Sequence, residues 1–331
     1  MDAAVRAADR GLTRQTWVLD ACTRLRVDAR TGRARKVVRN EAALARMMGN
    51  KDRFLRPDRS FELLSALEIL RPDGTLDVRS ARKYKQVEHF VGICRPLLSA
   101  AARRAARQGR PARVVDLACG TGHLALALAE AAHLDGLDVD VVGVERDPAK
   151  VAAANEKAAM LEGRRIRFVA GTIEGAGGIG DLTGPVDVVV ALHACDTATC
   201  DALVFGAVRG AGAILLAPCC QAELRPQLTK AAMPVSALGR GLLAVEYAAI
   251  LTDALRVEIL DALGYDTTTV SFTHGEHTAK HLLVRAVTDR PPDAAEIPAR
   301  LANVRARADT LGLSLRALDR LAALDPSHGP R

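Results

Sequence analysis

Aromatic residues are scarce. One Trp, three Tyr and six Phe make up 3% of 331 residues, so stacking platforms of the kind that hold single-stranded nucleic acid are not evident. No run of about 18 apolar residues free of charge occurs, which excludes an expected membrane span. Asp2, Arg6, Asp9 and Arg10 come before any apolar run, against a secretory leader. Cysteine is sparse and odd in number, with seven at 22, 94, 119, 195, 200, 219 and 220. That count fits a reducing cytoplasm better than a disulfide scaffold. Lysine is rare too: of 46 basic residues 38 are Arg and 8 Lys. In an Ala-rich chain, genomic base composition yields such a bias as readily as phosphate binding does.

The charge is unevenly spread. Residues 1–110 carry 25 basic and 12 acidic side chains, a net +13, whereas 111–331 carry 21 and 27, a net −6. The two parts therefore face different partners, or the first meets something anionic. Half of the chain, 49%, is hydrophobic, enough for a sizeable core.

Residues 1–60 are Arg-rich without a sustained apolar period, and Thr16–Val27 suits either a strand or a short helix. Helices are expected at Ser60–Leu70, before the turn signal Pro72-Asp73-Gly74, and at Ala81–Ala102. From Pro111 on, short Val/Ile/Leu runs alternate with Ala-rich stretches, the pattern of a doubly wound parallel sheet. The expected strands are Arg113–Leu117, Asp140–Glu145, Arg165–Ala170, Val186–Leu192 and Ala213–Ala217, with helices at Leu124–Ala132, Pro148–Glu162, Thr197–Arg209 and Ala248–Leu263. Thr267–Thr273 and His281–Val287 are expected to close the sheet as an antiparallel pair. The expected organisation is a basic, mostly helical N-terminal extension over 1–80, an α/β domain over 81–290 and a helical tail over 291–331.

The chemistry begins at Val114-Val-Asp-Leu-Ala-Cys-Gly-Thr-Gly-His-Leu-Ala125, a glycine turn between a buried strand and a helix, where open α/β sheets bind ligands. Gly120-x-Gly122-x-x-Ala125 alone passes as a dinucleotide fingerprint. Asp116, however, sits where it would repel a pyrophosphate and attract an ammonium group. Gly120 and Gly122 let the backbone approach a cofactor, with Ala118 and Thr121 completing the loop. Glu145, at the end of the second strand, is placed to accept two ribose hydroxyls, while Arg146 beside it fits a 2′-phosphate and NADP. After the third strand, Ile173 and Glu174 are candidates for an adenine ring and its amino group.

Two further strand ends carry reactive side chains. Val188–Asp196 brings His193, Cys195 and Asp196 to the mouth of the site, and Leu215–Gln221 brings Cys219 and Cys220. The D-x-x-C-G-T-G loop with its V-E-R-D-P turn resembles that of class I S-adenosylmethionine-dependent methyltransferases, which implies a seven-stranded Rossmann-like sheet and S-adenosylmethionine as cofactor. Over 81–290, Lys83-Tyr-Lys-Gln-Val87, the D-x-x-C-G-T-G-H-L loop, L-H-A-C-D, P-C-C and Glu276-His-Thr-Ala-Lys-His281 resemble the family that includes methyltransferase-like protein 25. Relatives in that family often carry Asn where His281 stands. L-H-x-C and C-C are also similar to elements of a eukaryotic tRNA ribose 2′-O-methyltransferase family, which implies RNA as acceptor. The basic N-terminal part agrees, through salt-sensitive attraction to phosphates. Protein, small-metabolite and non-catalytic scaffold readings stay open.

In such an enzyme His193 is the candidate base, or else packs on the cofactor. Asp196 either orients His193 or the substrate, or caps the following helix. Cys195, Cys219 and Cys220 line the acceptor side or are small buried residues. Lys280 is a candidate contact to an anionic group. Lys83, Lys85 and Gln86 lie on a helix that either closes over the cofactor or presents a polar face. Zinc is not expected: the cysteine spacings fit no common pattern, and His274-x-x-His277 falls at a strand turn.

Overall fold

A computed structural model of the chain describes residues 14–18, 23–38, 53–70, 78–192, 194–218, 220–228, 235–271, 282–289 and 295–323. The chain divides into two units between Gly92 and Ile93, twelve residues beyond the expected boundary at 80/81.

The first unit contains a three-stranded antiparallel meander, β1 (Arg14–Val18), β2 (Thr23–Asp28) and β3 (Arg33–Val38). The expectation of a mostly helical extension is corrected here. Arg and apolar residues alternate with period two along β2 and β3, a strand pattern that a search for a helical apolar period passes over. The β2–β3 turn ends on Gly32, whose φ of 66° is costly for other residues, and Thr31 N–H closes it on Asp28 O at 3.2 Å. Further on, α1 (Phe61–Ala66) and the start of α2 (Val78–Ala106) bury Leu63, Leu64, Tyr84, Val87 and Phe90. Tyr84 Oη donates to Leu55 O at 2.9 Å, and Glu88 accepts the N–H groups of Phe54 and Leu55. Lys83 donates to Leu67 O at 2.7 Å, a contact that fastens helix to loop.

The second unit is built on a seven-stranded sheet: β4 (Ala112–Leu117), β5 (Val139–Glu145), β6 (Ile166–Ala170), β7 (Val188–Leu192), β8 (Ala213–Ala217), β9 (Asp266–Ser271) and β10 (Leu282–Val287), in the order β6-β5-β4-β7-β8-β10-β9. The first five run parallel, and β10 pairs antiparallel with both β8 and β9. β5, β7 and β8 are buried along their whole length, which is why they read as unbroken apolar runs. The parallel strands are joined by α3 (His123–Leu134), α4 (Pro148–Ala158) and α5 (Thr197–Val208). α4 starts on an N-cap, Asp147 Oδ1 accepting Ala149 N–H at 2.9 Å with Pro148 at the first helical position.

After β8 come the short α6 (Arg225–Leu228) and the long α7 (Gly241–Ala262). The tail forms α8 (Ile297–Thr310), packed on α7, and α9 (Arg316–Ala323), packed on α5. Val304, Ala308, Leu315 and Leu318 share the core of the sheet, so the tail belongs to this unit. No described helix is long and apolar enough to cross a membrane. Strand order reverses between β4 and β7, and the crevice at the carboxyl ends of the strands there is the natural ligand site.

Candidate functional site

Asp116 ends β4 and is 2% exposed. Burial, with Glu145 adding to it, raises its carboxyl to about 7, against the opposing pull of the Ala125 N–H. Ala118, Gly120 and Gly122 then take φ of 57°, 58° and 76°, a tight coil that turns the chain from strand to helix. The two glycines serve different ends. A Cβ on Gly120 would meet nothing within 4 Å, so this backbone opens onto free space, whereas one on Gly122 would collide with the Phe168 ring. Gly122 thus packs the loop against β6 and leaves the close approach to a ligand to Gly120.

Glu145, 7% exposed at the end of β5, holds the loop from the other side. Its Oε2 accepts Gly120 N–H at 2.9 Å and its Oε1 accepts Asp147 N–H at 3.2 Å. Each oxygen keeps a lone pair, so donors such as hydroxyls can still be received. Among the described residues neither Asp116 nor Glu145 is in a salt bridge, an expensive arrangement for buried carboxylates. The same negative field, after burial itself, raises the Cys119 thiol, and Asp116 does likewise for Cys94 on α2. Arg146 and Thr121 are exposed at the rim.

Ile173 is half-buried and packs on the sheet core. Glu174 is exposed and lies 3.2 Å from Arg316 Nη2 of α9, a partner the sequence did not suggest. Arg316 and Arg320 also converge on the buried Asp201, at 2.8 and 2.7 Å.

The rim beyond β7 and β8 is organised around Asp196. It stands at the N-cap position of α5 without capping it; with φ 54° and ψ −121°, its Oδ1 instead accepts the N–H groups of Ala222 and Glu223, both at 2.8 Å. Asp196 N–H reaches Cys220 O at 3.0 Å. The expected helix cap is thus a staple between two strand-end turns. Cys195 and Cys220 are exposed, with their sulfurs 3.8 Å apart. His193, Cys219 and Lys280, together with His274, His277 and His281, lie outside the described residues. Among the described residues no group of three or more His, Cys, Asp or Glu could hold a metal ion.

Beneath the staple lies Arg256, fully buried. It donates to Asp196 O at 2.8 Å, pairs with Asp253 at 2.9 Å and contacts Cys200 Sγ at 3.4 Å. Asp253 Oδ2 in turn accepts the Gln221 amide at 2.7 Å. Sequence reading missed this cluster, although Asp253-x-x-Arg256 was a visible signal: opposite charges at i, i+3 within a long helix.

The strand order, counted from β4 as first strand, is 3-2-1-4-5-7-6 with the last pair antiparallel, and this is the class I methyltransferase fold. Residues 82–227 match the family model described as a methyltransferase domain. No curated protein matches. Similar solved structures include an SAH-bound methyltransferase from Podospora anserina (15% identity, 76% of this chain and 95% of that one, TM-score 0.41). Others are the SAH-bound magnesium protoporphyrin IX methyltransferase of Synechocystis (16%, 70% and 97%, 0.38) and Aeropyrum pernix fibrillarin with natively bound S-adenosyl-L-methionine (17%, 54% and 67%, 0.32).

Proposed function

We propose that the protein is an S-adenosylmethionine-dependent methyltransferase of the cytoplasm, kin to the methyltransferase-like protein 25 family, with RNA as its acceptor. The observation that carries the cofactor is the pair of buried carboxylates, Asp116 and Glu145, without a described ion pair, flanking a glycine loop open at Gly120. A cation that also presents a vicinal diol suits both: its ammonium group at Asp116, its ribose hydroxyls at Glu145. Ile173 supplies an apolar surface for the adenine.

The cofactor supplies a methyl group on a sulfonium, which is transferred by in-line displacement. The protein's work is to align the acceptor and to take its proton where it carries one. Asp116 and Glu145 fix one end of that line. The stapled turns after β7 and β8 present the other, with Cys195 and Cys220 on the acceptor side. His193, three residues before Asp196 in the sequence, is the proposed base.

Calorimetry with S-adenosylmethionine and S-adenosylhomocysteine tests the site. Micromolar-scale binding by the wild type, lost in Asp116→Ala and Glu145→Ala, is expected; no binding by the wild type overturns the reading. A labelled-methyl screen against total RNA, protein extract and metabolites then tests the acceptor, and binding without turnover on any of them makes the protein a scaffold.

A further inference from the structure

The cysteines among the described residues fall into two groups. Cys94 and Cys200 are buried and Cys119 is half-buried, and burial pushes all three thiols up, away from the thiolate that reacts. Cys195 and Cys220 are exposed, and their sulfurs lie 3.8 Å apart. The transfer described above leaves both thiols without a chemical task.

Their nearness is set by the sheet. β7 and β8 run parallel with Leu192 opposite Ala217 as their last pair, and Cys195 and Cys220 each stand three residues further on. Adjacent strands are about 4.7–4.9 Å apart, inside the roughly 4.4–6.8 Å that a disulfide spans between Cα atoms. The two chains stay together after the strands end. Asp196 N–H donates to Cys220 O at 3.0 Å, so one hydrogen bond joins the peptide that leaves Cys195 to the peptide that leaves Cys220. The Asp196 carboxylate holds the 222–223 amides, and buried Arg256 holds the Asp196 carbonyl from beneath. With both backbones fixed, closing the 3.8 Å gap is a matter for the side chains alone.

We propose that Cys195 and Cys220 form a redox-active pair on the acceptor rim, closed to a disulfide by hydrogen peroxide and reopened by a dithiol. One thiolate attacks a peroxide oxygen and breaks the O–O bond; its sulfur is oxidised to a sulfenic acid, and the other oxygen leaves, with a proton, as water. The second thiol attacks the sulfenic sulfur, the S–S bond forms and a second water departs. Two thiols and one peroxide thus give one disulfide and two waters. Exchange with a dithiol restores both thiols and oxidises the dithiol in their place. In a reducing compartment such a bond is transient, as a sensor requires. For its consequence the proposal rests on the methyltransferase reading above: the closed bond withdraws both thiols from the acceptor side and ties together the turns that present it. Asp116 and Glu145, on β4 and β5, take no part.

The bond itself is tested without turnover. The full chain is reduced, freed of reductant and exposed to a slight molar excess of hydrogen peroxide. Remaining thiols are alkylated, and nonreduced tryptic peptides are mapped by mass spectrometry with fragmentation. Wild type, Cys195→Ser, Cys220→Ser and Cys219→Ser are compared, each checked first by circular dichroism. The wild type is expected to lose two hydrogens, to link Cys195 to Cys220 within one chain, and to recover with dithiothreitol. Cys219→Ser is expected to form the same bond, and Cys195→Ser and Cys220→Ser to form none. A link through Cys219 or Cys200, oxidation to sulfinic acid without a link, or a bond that dithiothreitol leaves intact overturns the proposal. Calorimetric affinity for S-adenosylmethionine is expected to agree within about twofold between the open and closed forms, while labelled-methyl transfer falls on closure and returns on reduction. Transfer equally fast in both forms overturns the switch. If the bond forms but no acceptor is ever methylated, the redox pair stands and the methyltransferase reading falls.

Discussion

The two halves of the candidate site handle buried charge in opposite ways. On the cofactor side, Asp116 and Glu145 are buried with backbone N–H groups but no described ion pair. On the rim side the buried charges meet opposite ones: Arg256 pairs with Asp253, and Asp201 with Arg316 and Arg320. A satisfied network makes a framework, because moving any member exposes a buried unpaired group. An unsatisfied pair is stable only until something better arrives, which is what a binding site for a cation requires. Burial alone does not separate framework from function here; the missing partner does.

This contrast can be broken most forcefully on the framework side. Arg256→Ala strands Asp253 and frees the Asp196 carbonyl, and chemical denaturation should show a loss of about 3–5 kcal/mol; a loss under 1 kcal/mol would show that the cluster is not what joins the two turns. On the cofactor side, Asp116→Ala should cost at least about 100-fold in S-adenosylmethionine affinity, or roughly 2.7 kcal/mol. The isosteric Asp116→Asn should also lose binding while gaining stability of order 1 kcal/mol in the absence of cofactor, since it removes a buried charge. If Asp116→Asn destabilises instead, the carboxylate is part of the framework after all.

Asp196→Ala removes both 2.8 Å bonds to the 222–223 turn and should cost about 1–3 kcal/mol, with cofactor affinity unchanged. The pH dependence sharpens the comparison further. The Asp116 carboxyl titrates at about 7, above its unfolded value, and a bound ammonium favours the ionised form. Affinity should therefore be full above pH 7 and fall by up to about tenfold per unit below it, which calorimetry in buffers of different ionisation enthalpy reads as proton release. A flat profile between pH 5.5 and 8 would place the ammonium elsewhere. The smallest effect is expected at Glu174. If its exposed pair with Arg316 is its whole role, Glu174→Ala changes stability by less than about 0.5 kcal/mol and leaves cofactor affinity intact; a tenfold loss would return it to the adenine.

Legibility followed the source of each residue's constraint. Ala213–Ala217 was read to the residue, because a strand buried on both faces must be apolar throughout and turn residues bound it. The placement of Asp116 and Glu145 was legible because each lies at the carboxyl end of a buried strand. The meander was missed because arginine does not look like half of an amphipathic strand unless the partner register is known. Arg256 was missed for another reason: its meaning lies in the carbonyl of Asp196, sixty residues earlier, and no local pattern carries that contact. The cap expected of Asp196 failed because the turn's positive φ commits its carboxylate to another loop.

Phe168 on β6 occupies the space that a Cβ would need at both Gly122 and Gly143. One ring thereby makes two distant positions intolerant of any side chain, and the three form a single heritable unit. A lineage that replaced the ring with a small residue would leave a Cβ at 143 facing Cys119 Sγ alone, and Gly122 held by its backbone angle and by the nearby Ala154 Cβ. Among homologues, substitutions at 143 should therefore be found where 168 has shrunk and 119 has shrunk or turned aside, and be absent where the ring remains.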